Sequence, residues 1–283
     1  MIAAVAAGNC VIAKPSEKTP HTGIILQEII EKVFPSDEVL IILGDVSIAE
    51  KLLELPFDHL FFTGSTSVGK KVMAAAAKHL STVTLELGGK SPVIIDRLVN
   101  LEDVVEKIAW GKFLNGGQTC VAPDYLFIPE ELKNQFLELF KKQIAKNYGG
   151  SADLRAQSAD FTRIIDQGNF QRLNQYMLNE KSMLEDTCIE DNHYFPPSVV
   201  ETSLDSLLMK EEIFGPILPV IPYKNIDEVI SFIQSRPKPL ALYLFSKQRE
   251  FINNLLCSTT SGGVVVNNVV LHLANSHLPF GGV

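Results

Sequence analysis

The stretch that decides the fold is residues 59–89, HLFFTGSTSVGKKVMAAAAKHLSTVTLELGG. It begins with a short apolar run, His59 to Thr63, that is typical of a strand, and a glycine-punctuated loop follows. A helix is predicted from about Val68 to His79, and a second strand, Thr82 to Leu87, ends at two glycines. Strand and helix that alternate at this spacing indicate right-handed βαβ units and a parallel sheet.

The same alternation continues toward the N-terminus. Cys10 to Ala13 predicts a buried strand that Pro15 ends, because proline cannot donate a hydrogen bond to a neighbouring strand. Apolar residues at helical spacing predict a helix over 22–33, and a strand over 39–43 and a short helix over 48–54 follow. The chain is therefore predicted to have an α/β fold of a nucleotide-binding type, although a fold alone does not define the chemistry.

A second α/β region follows Pro92. Its predicted elements are a helix over 101–114, a strand over 125–128 and a long amphipathic helix over 130–148, and the polar stretch 149–160 is predicted to be a loop. Alternation then resumes, with elements around 199, 218–221, 226–235 and 240–245. We place the domain boundary near Gly88.

Composition and charge exclude several classes of protein. The 283 residues carry a formal net charge of -8, which argues against a nucleic-acid partner, because such binding depends on clustered lysines and arginines. The most apolar windows are shorter than the roughly 18 residues of a membrane span, and no basic residue precedes the apolar N-terminal run as in a signal peptide. The four cysteines form no CxxC pair, and no HExxH sequence predicts a metal site. A cytoplasmic protein with no membrane segment and no metal is expected.

Residues 62–71, FTGSTSVGKK, form the first candidate site. A strand that runs through a tight glycine turn into a helix presents unpaired N–H groups that suit a phosphate group. The sequence nearly matches the P-loop pattern GxxxxGK[ST], but Lys71 stands where a hydroxyl would bind magnesium. Pyrophosphate binding without a dedicated magnesium ion is therefore favoured over a P-loop phosphotransferase, and a plain strand-to-helix turn is the alternative.

Glu86 is the second candidate. It lies opposite the apolar residues of its strand and one residue before the pair Gly88 and Gly89, which permit the close approach of a ligand or another backbone. A carboxylate held there would have a raised pKa, as a general base requires. An ion pair between Glu86 and a neighbouring lysine such as Lys90 is an alternative of equal weight.

Cys120 is the third candidate because it follows a flexible polar turn, NGGQT at 115–119, rather than an apolar period. Its thiolate could therefore reach a substrate as a nucleophile, whereas a free cysteine is more often a small core residue. The other cysteines, Cys10, Cys188 and Cys257, lack this setting and are interpreted as structural. The acidic pair in 210–216, KEEIFGP, is a weaker signal, since such residues usually face solvent.

Six ordered motifs resemble the aldehyde dehydrogenase superfamily over essentially Val5 to Val283, and GQTCVAPDY at 117–125 is similar to its class 3 or fatty-aldehyde branch. The motifs lie at 14–17, 62–69, 86–90, 117–120, 211–216 and 278–282. The resemblance implies an aldehyde dehydrogenase-like α/β fold, with an incomplete Rossmann-type cofactor domain at 1–88 and an α/β catalytic domain at 89–283. It also implies oxidation of a small-molecule aldehyde, medium or long aliphatic or aromatic, with NAD or NADP.

The same resemblance implies residue roles. Cys120 would attack the aldehyde and Glu86 would activate the water that releases the acid. The implied cofactor residues are Lys14 and Glu17 at the adenosine ribose, Gly64 and Ser65 at the pyrophosphate, Gly69 where the helix approaches, Glu212 at the nicotinamide ribose, and Phe214 beside the ring.

Two departures from the family lie at the ends of the chain. The family carries a Trp-Asn-(Phe/Tyr)-Pro segment before the position of Met1, whose asparagine completes the oxyanion hole, and a dimer-pairing tail beyond the position of Val283. The chain is therefore expected to be truncated at both ends, so that a family-like homodimer would lack its pairing tail. Since one lost oxyanion donor lowers a rate by ~10² to 10³, the alternative is a non-catalytic relative that acts as a weak nucleotide-binding or interaction protein.

Overall fold

The computed structural model describes residues 1–283, which divide into two units. The first unit comprises Met1–Thr63 and Ser67–Leu85, and the second comprises Gly64–Thr66 and Glu86–Val283. We predicted a boundary near Gly88 between a cofactor domain and a catalytic domain. That functional division stays a prediction.

Helices and strands alternate in the N-terminal part of the chain, as predicted. The elements are α1 (Ile2–Ala6), β1 (Val11–Ala13), α2 (Pro20–Val33), β2 (Val39–Ile41), α3 (Val46–Leu52), β3 (His59–Gly64), α4 (Thr66–Ala77) and β4 (Thr82–Leu87). Strands β1 and β2 pair in parallel, with Val11 opposite Val39, and β3 pairs with β4 in a separate sheet. The single sheet that the alternation predicts is thus divided into two pairs of strands.

A small apolar core supports the first pair of strands. Ile30 of α2 packs with Val39 and Ile41 of β2, and all three side chains are buried. A buried strand was predicted over Cys10 to Ala13, but β1 begins at Val11, none of its three residues is buried, and Cys10 is exposed, so the predicted burial is wrong. The sulfur of Cys10 is outside the core because the strand is only three residues long and half-covered.

The second unit is built on one parallel sheet of six strands, in the order β10-β9-β5-β6-β8-β7. Its elements are β5 (Pro92–Ile95), α5 (Leu101–Phe113), β6 (Tyr125–Pro129), α6 (Lys133–Tyr148), α7 (Ala152–Gln157), α8 (Gln167–Met177), β7 (Ser198–Glu201), β8 (Ile217–Tyr223), α9 (Ile226–Gln234), β9 (Ala241–Phe245), α10 (Arg249–Ser258) and β10 (Gly263–Val266). This architecture confirms the predicted α/β fold with parallel sheets.

Apolar cores lie on both faces of this sheet. Helices α5 and α6 pack on one face through residues such as Ile108 and Phe140, and α9 and α10 pack on the other through Ile230 and Leu255. The central strands β5, β6 and β9 are buried along their whole length, which explains why they consist of continuous apolar runs. None of the helices combines the length and the hydropathy needed to cross a membrane.

Two local predictions differ from the structure. The stretch 149–160, predicted as a loop because of its polar residues, contains the helix α7. The hydroxyl of Ser151 caps this helix by accepting a hydrogen bond from the N–H of Leu154. Arg155 of α7 is buried, and both oxygens of Asp186 balance its charge by accepting hydrogen bonds from its guanidinium at 2.6 Å. The predicted helix over 130–148 begins only at Lys133, after a short 3₁₀ turn at Glu130–Leu132.

Candidate active site

The amino ends of parallel strands meet at one edge of the sheet, and three candidate motifs precede neighbouring strands there. Residues 86–90 precede β5, residues 117–120 precede β6, and residues 211–216 precede β8. The strand order places β5, β6 and β8 side by side. Topology therefore brings together segments that are up to 130 residues apart in sequence (216 minus 86).

An ion pair between Lys90 and Asp124 joins the three segments. The Lys90 ammonium donates to a carboxylate oxygen of Asp124 and to the carbonyls of Leu208, at 2.7 Å, and Glu211, at 2.9 Å. The other oxygen of Asp124 accepts from the N–H of Ile213 at 2.9 Å. Because an ammonium has three N–H donors, Lys90 has none left for another carboxylate. The alternative of an ion pair between Glu86 and Lys90 is therefore wrong.

Glu212 lies against the glycine pair. A Cβ atom placed on Gly88 would fall 2.0 Å from Oε2 of Glu212, so a larger residue there would require this carboxylate to move. Burial raises the pKa of Glu212 to about 7, and the negative charge of Asp124 acts in the same direction. The N–H of Gly89, which donates to the Glu212 carboxylate, and the two lysines Lys90 and Lys112 oppose this shift. Glu212 is thus a carboxylate that changes its charge near neutral pH.

Cys120 is delivered to the edge by a turn with unusual backbone angles. Asn115, Gly116 and Gly117 all have positive φ angles, of 53°, 62° and 74°. A Cβ atom on Gly117 would fall 2.3 Å from the carbonyl oxygen of Gly215, so the turn also requires glycine to pack against the 211–216 segment. This packing places Cys120 beside the Glu212 segment, at the end of the turn and before β6.

The thiol of Cys120 is half-buried among negative charges. Burial is the largest cause that raises its pKa, followed by the charge of Glu212 and then that of Glu86. The N–H groups of Cys120 and Val121 act in the opposite direction by donating to the sulfur. These charges show that the structure brings Cys120, Glu86 and Glu212 into one electrostatic environment. In contrast, the other three cysteines are exposed.

Two positioning groups at this edge were missed by the sequence analysis. The guanidinium of Arg172 in α8 donates to the carbonyl of Ile213 at 2.8 Å and to that of Glu212 at 3.4 Å. It holds the segment in which Phe214 has a positive φ of 46°, an angle that is rare for a residue other than glycine. Lys112, in the last turn of α5, is completely buried. The charge patterns of α8 and α5 do not indicate from sequence alone that Arg172 or Lys112 faces the interior.

The remaining cofactor candidates lie in the N-terminal part of the chain, within residues 14–69. Within the first unit, the Lys14 ammonium donates to Glu17 at 3.1 Å, to the carbonyl of Pro15 at 2.8 Å and to that of Gly44 at 2.9 Å. The pKa of Glu17 is lowered by its own backbone N–H and by Lys14. Gly69 is buried inside α4. Gly64 and Ser65 lie directly before that helix and are grouped with the second unit.

Comparisons with known proteins agree with one another. The family model described as "Aldehyde dehydrogenase family" matches residues 1–283. The chain is 45% identical over 284 residues to the "Aldehyde dehydrogenase, dimeric NADP-preferring" of Rattus norvegicus, covering 100% of this chain and 62% of that protein. It is 42% identical over 287 residues to the "4,4'-diaponeurosporen-aldehyde dehydrogenase" of Staphylococcus aureus, with coverage of 100% and 62%.

A solved structure gives the same result. The "Substrate bound state of Staphylococcus Aureus AldH" superposes with a TM-score of 0.94 at 41% identity, covering 100% of this chain and 62% of that one. The chain therefore spans 62% of the length of these three relatives.

Proposed function

Since the chain belongs to the aldehyde dehydrogenase family, we propose that it oxidises an aldehyde to a carboxylic acid with NAD or NADP, and that Cys120 is the nucleophile. The observation that carries this proposal is the position of Cys120 in one electrostatic environment with two carboxylates, those of Glu212 and Glu86. A nucleophile and a base within one site are the minimum that acyl transfer through a covalent intermediate requires.

The first step is attack by the thiolate of Cys120 on the aldehyde carbon. A carbon–sulfur bond forms and the electron pair of the carbonyl moves to oxygen, which gives a tetrahedral thiohemiacetal. When bound, the nicotinamide of NAD(P)⁺ supplies the acceptor for the hydride that leaves this carbon. The carbonyl forms again, and the acyl group is then held by Cys120 as a thioester.

Glu86 acts in the second half of the reaction. Its carboxylate takes a proton from a water molecule, whose oxygen attacks the thioester carbon. The carbon–sulfur bond breaks, sulfur leaves as the thiolate and the carboxylic acid is released. Glu86 lies near the end of β4, one residue before the glycine pair against which Glu212 packs.

The residues present fit a dinucleotide. Glu212 is a buried carboxylate, and its ionised form can accept hydrogen bonds from the hydroxyls of the nicotinamide ribose, while Phe214 would contact the ring. Glu17 provides an acceptor for the adenosine ribose, and Lys14, whose ammonium lies 3.1 Å from it, would donate to the ribose by exchanging one of its present contacts, such as that with the carbonyl of Pro15. Gly64 and Ser65, which lie directly before α4, would serve the pyrophosphate, and Gly69, buried inside α4, would let the helix approach it.

The substrate class and assembly follow from the relatives. The rat relative is named as dimeric and NADP-preferring, and the Staphylococcus aureus relative is named for 4,4'-diaponeurosporen-aldehyde. We propose that this protein acts on medium or long aliphatic or aromatic aldehydes in the cytoplasm, and that it pairs as a homodimer.

The proposal is tested by following NAD(P)H absorbance with purified protein, an aldehyde panel and each cofactor. Cys120→Ser should abolish turnover, whereas Cys257→Ser, which alters an exposed cysteine on α10, should leave it unchanged. Equal turnover in Cys120→Ser and the parent would show that another group is the nucleophile. An absence of turnover in the parent with every aldehyde would favour the non-catalytic alternative.

A further inference from the structure

Lys112 is a buried charged residue without a hydrogen-bond partner. Its side chain is 0% exposed, and no acceptor lies within hydrogen-bonding distance of its Nζ atom. The other buried basic residue, Arg155, makes a two-point contact with Asp186. An ammonium buried without direct partners is unfavourable, so its retention requires nearby negative charge.

The groups that act electrostatically on Lys112 belong to the candidate active site. Asp124 and Glu212 are its negative neighbours and Lys90 is its positive neighbour. Lys90 and Asp124 already form an ion pair. The four charges sum to zero when all are ionised, which leaves Lys112 as the remaining counter-charge of Glu212.

Backbone packing independently connects Lys112 with the Glu212 segment. The ideal Cβ position of Gly117 lies 3.1 Å from the carbonyl oxygen of Lys112 and 2.3 Å from that of Gly215. The end of α5, the cysteine turn and the 211–216 segment therefore meet at one point.

We propose that Lys112 is a positioning residue whose buried ammonium keeps Glu212 ionised, so that the carboxylate can bind the ribose of the nicotinamide cofactor. This inference rests on the proposed function for the role of Glu212, but the coupling between the two side chains is independent of turnover. Lys112 acts through Glu212 and does not contact the reacting atoms.

The electrostatics define the pH range in which this arrangement operates. Burial lowers the pKa of Lys112 to about 8, and burial raises that of Glu212 to about 7. Below this range Glu212 is protonated, and above it Lys112 is neutral. Cofactor binding should therefore weaken as the pH falls below about 7, where Glu212 becomes protonated. Two other titratable groups face this cluster: Cys120, on which the charge of Glu212 acts, and Tyr125, on which that of Asp124 acts. Glu86 and Tyr243 in turn interact with Cys120.

The first test compares Lys112→Met with Lys107→Met, which changes a partly exposed lysine on the same helix. In Lys112→Met we expect the KM for NAD(P) to rise about tenfold and the acidic limb of kcat/KM to move up by about one pH unit, with kcat within about twofold of the parent. Lys107→Met should resemble the parent. An unchanged KM and acidic limb in Lys112→Met would overturn the proposal, as would a lower kcat with an unchanged pH profile, because that pattern indicates a structural role only.

The second test needs neither cofactor nor turnover. The rate at which iodoacetamide alkylates Cys120 should show an inflection near pH 7, where Glu212 gains its charge. The inflection should move to higher pH in Lys112→Met and disappear in Glu212→Gln, and the double variant should resemble Glu212→Gln. If the protein does not oxidise aldehydes but these shifts occur, the proposed function fails and the coupling stands. If Lys112→Met does not fold, Lys112→Gln provides the same loss of charge. An inflection that is the same with and without the Lys112 charge would overturn the inference.

Discussion

The carboxylate of Glu212 touches Gly88 so closely that a Cβ atom on Gly88 would fall 2.0 Å from Oε2. Gly88 belongs to the segment before β5, and Glu212 belongs to the segment before β8. The contact explains why a residue without a side chain suits position 88, because the Glu212 carboxylate occupies the space that a Cβ atom would take.

Gly88→Ala should displace the Glu212 carboxylate and weaken cofactor binding. We expect the KM for NAD(P) to rise by at least about tenfold, since a hydrogen bond to a charged group contributes roughly 1.5 kcal/mol or more. Steady-state kinetics at varied cofactor concentration measures this change. Gly150→Ala is the matched control, because a Cβ atom there meets nothing within 4 Å. A parent-like KM in Gly88→Ala would show that Glu212 does not hold the cofactor.

The reactivity of Cys120 should depend on both Glu212 and Glu86, and more strongly on Glu212. The charge of Glu212 contributes more than that of Glu86 to the raised pKa of Cys120. Removal of a negative charge makes the thiolate easier to form, so Glu212→Gln should lower the apparent pKa of Cys120. Its alkylation at pH 8 should accelerate about threefold, because more of the sulfur is then ionised at that pH.

Mass spectrometry of each cysteine during iodoacetamide treatment measures this rate. Glu86→Gln should accelerate Cys120 less than Glu212→Gln does. Cys257 serves as an internal reference, since it is exposed on α10. Slower alkylation of Cys120 in Glu212→Gln would contradict the prediction.

The sequence indicates the candidate reacting residues, but it does not indicate the charged residues that surround them. Cys120 and Glu86 stand in patterns whose residue types indicate their roles, and the structure places both in the electrostatic environment of Glu212. Those roles stay predictions. The partner of Lys90 could not be predicted, because Asp124 lies 34 residues away and meets it only when β5 and β6 pair.

Lys112 shows why burial is hard to predict for a charged residue. In α5 it lies near the helix end, where a lysine usually faces solvent and interacts favourably with the helix dipole. The sheet lies on one side of α5, and Gly111 is packed against Val269 so closely that a Cβ atom there would fall 2.4 Å from a methyl group of Val269. The last turn of the helix is thus enclosed by residues more than 150 positions away, which local sequence patterns cannot reveal.

The ion pair between Lys90 and Asp124 should contribute far more to stability than the surface pairs do. Asp124→Asn leaves Lys90 and the N–H of Ile213 with a weaker acceptor in the interior. Breaking a buried pair on one side costs about 3–5 kcal/mol. Urea unfolding should show this loss in Asp124→Asn. Glu130→Gln, which removes an exposed pair with Lys224, should change the free energy of unfolding by about 1 kcal/mol or less. Equal losses in the two variants would refute the structural role of Asp124.

The dependence of stability on pH should report the buried ammonium of Lys112 directly. Its pKa is about 8 in the folded protein and 10.5 as an ordinary lysine, so the unfolded chain binds one more proton than the folded protein between these values. Stability rises with pH wherever the unfolded state binds more protons. The contribution of Lys112 to the free energy of unfolding should therefore be least favourable below pH 8 and should improve as the pH rises toward 10.5.

Urea unfolding of the parent and of Lys112→Met at pH 7, 8, 9 and 10 measures this contribution as a difference. Lys112→Met should be the more stable of the two by the largest margin at pH 7, and the margin should shrink as the pH rises, because the parent then buries a neutral amine. Lys107→Met should show a constant difference from the parent over the same range, since that lysine is partly exposed to solvent. A margin for Lys112→Met that does not change with pH would mean that the pKa of Lys112 is not lowered in the folded protein, and would refute the prediction.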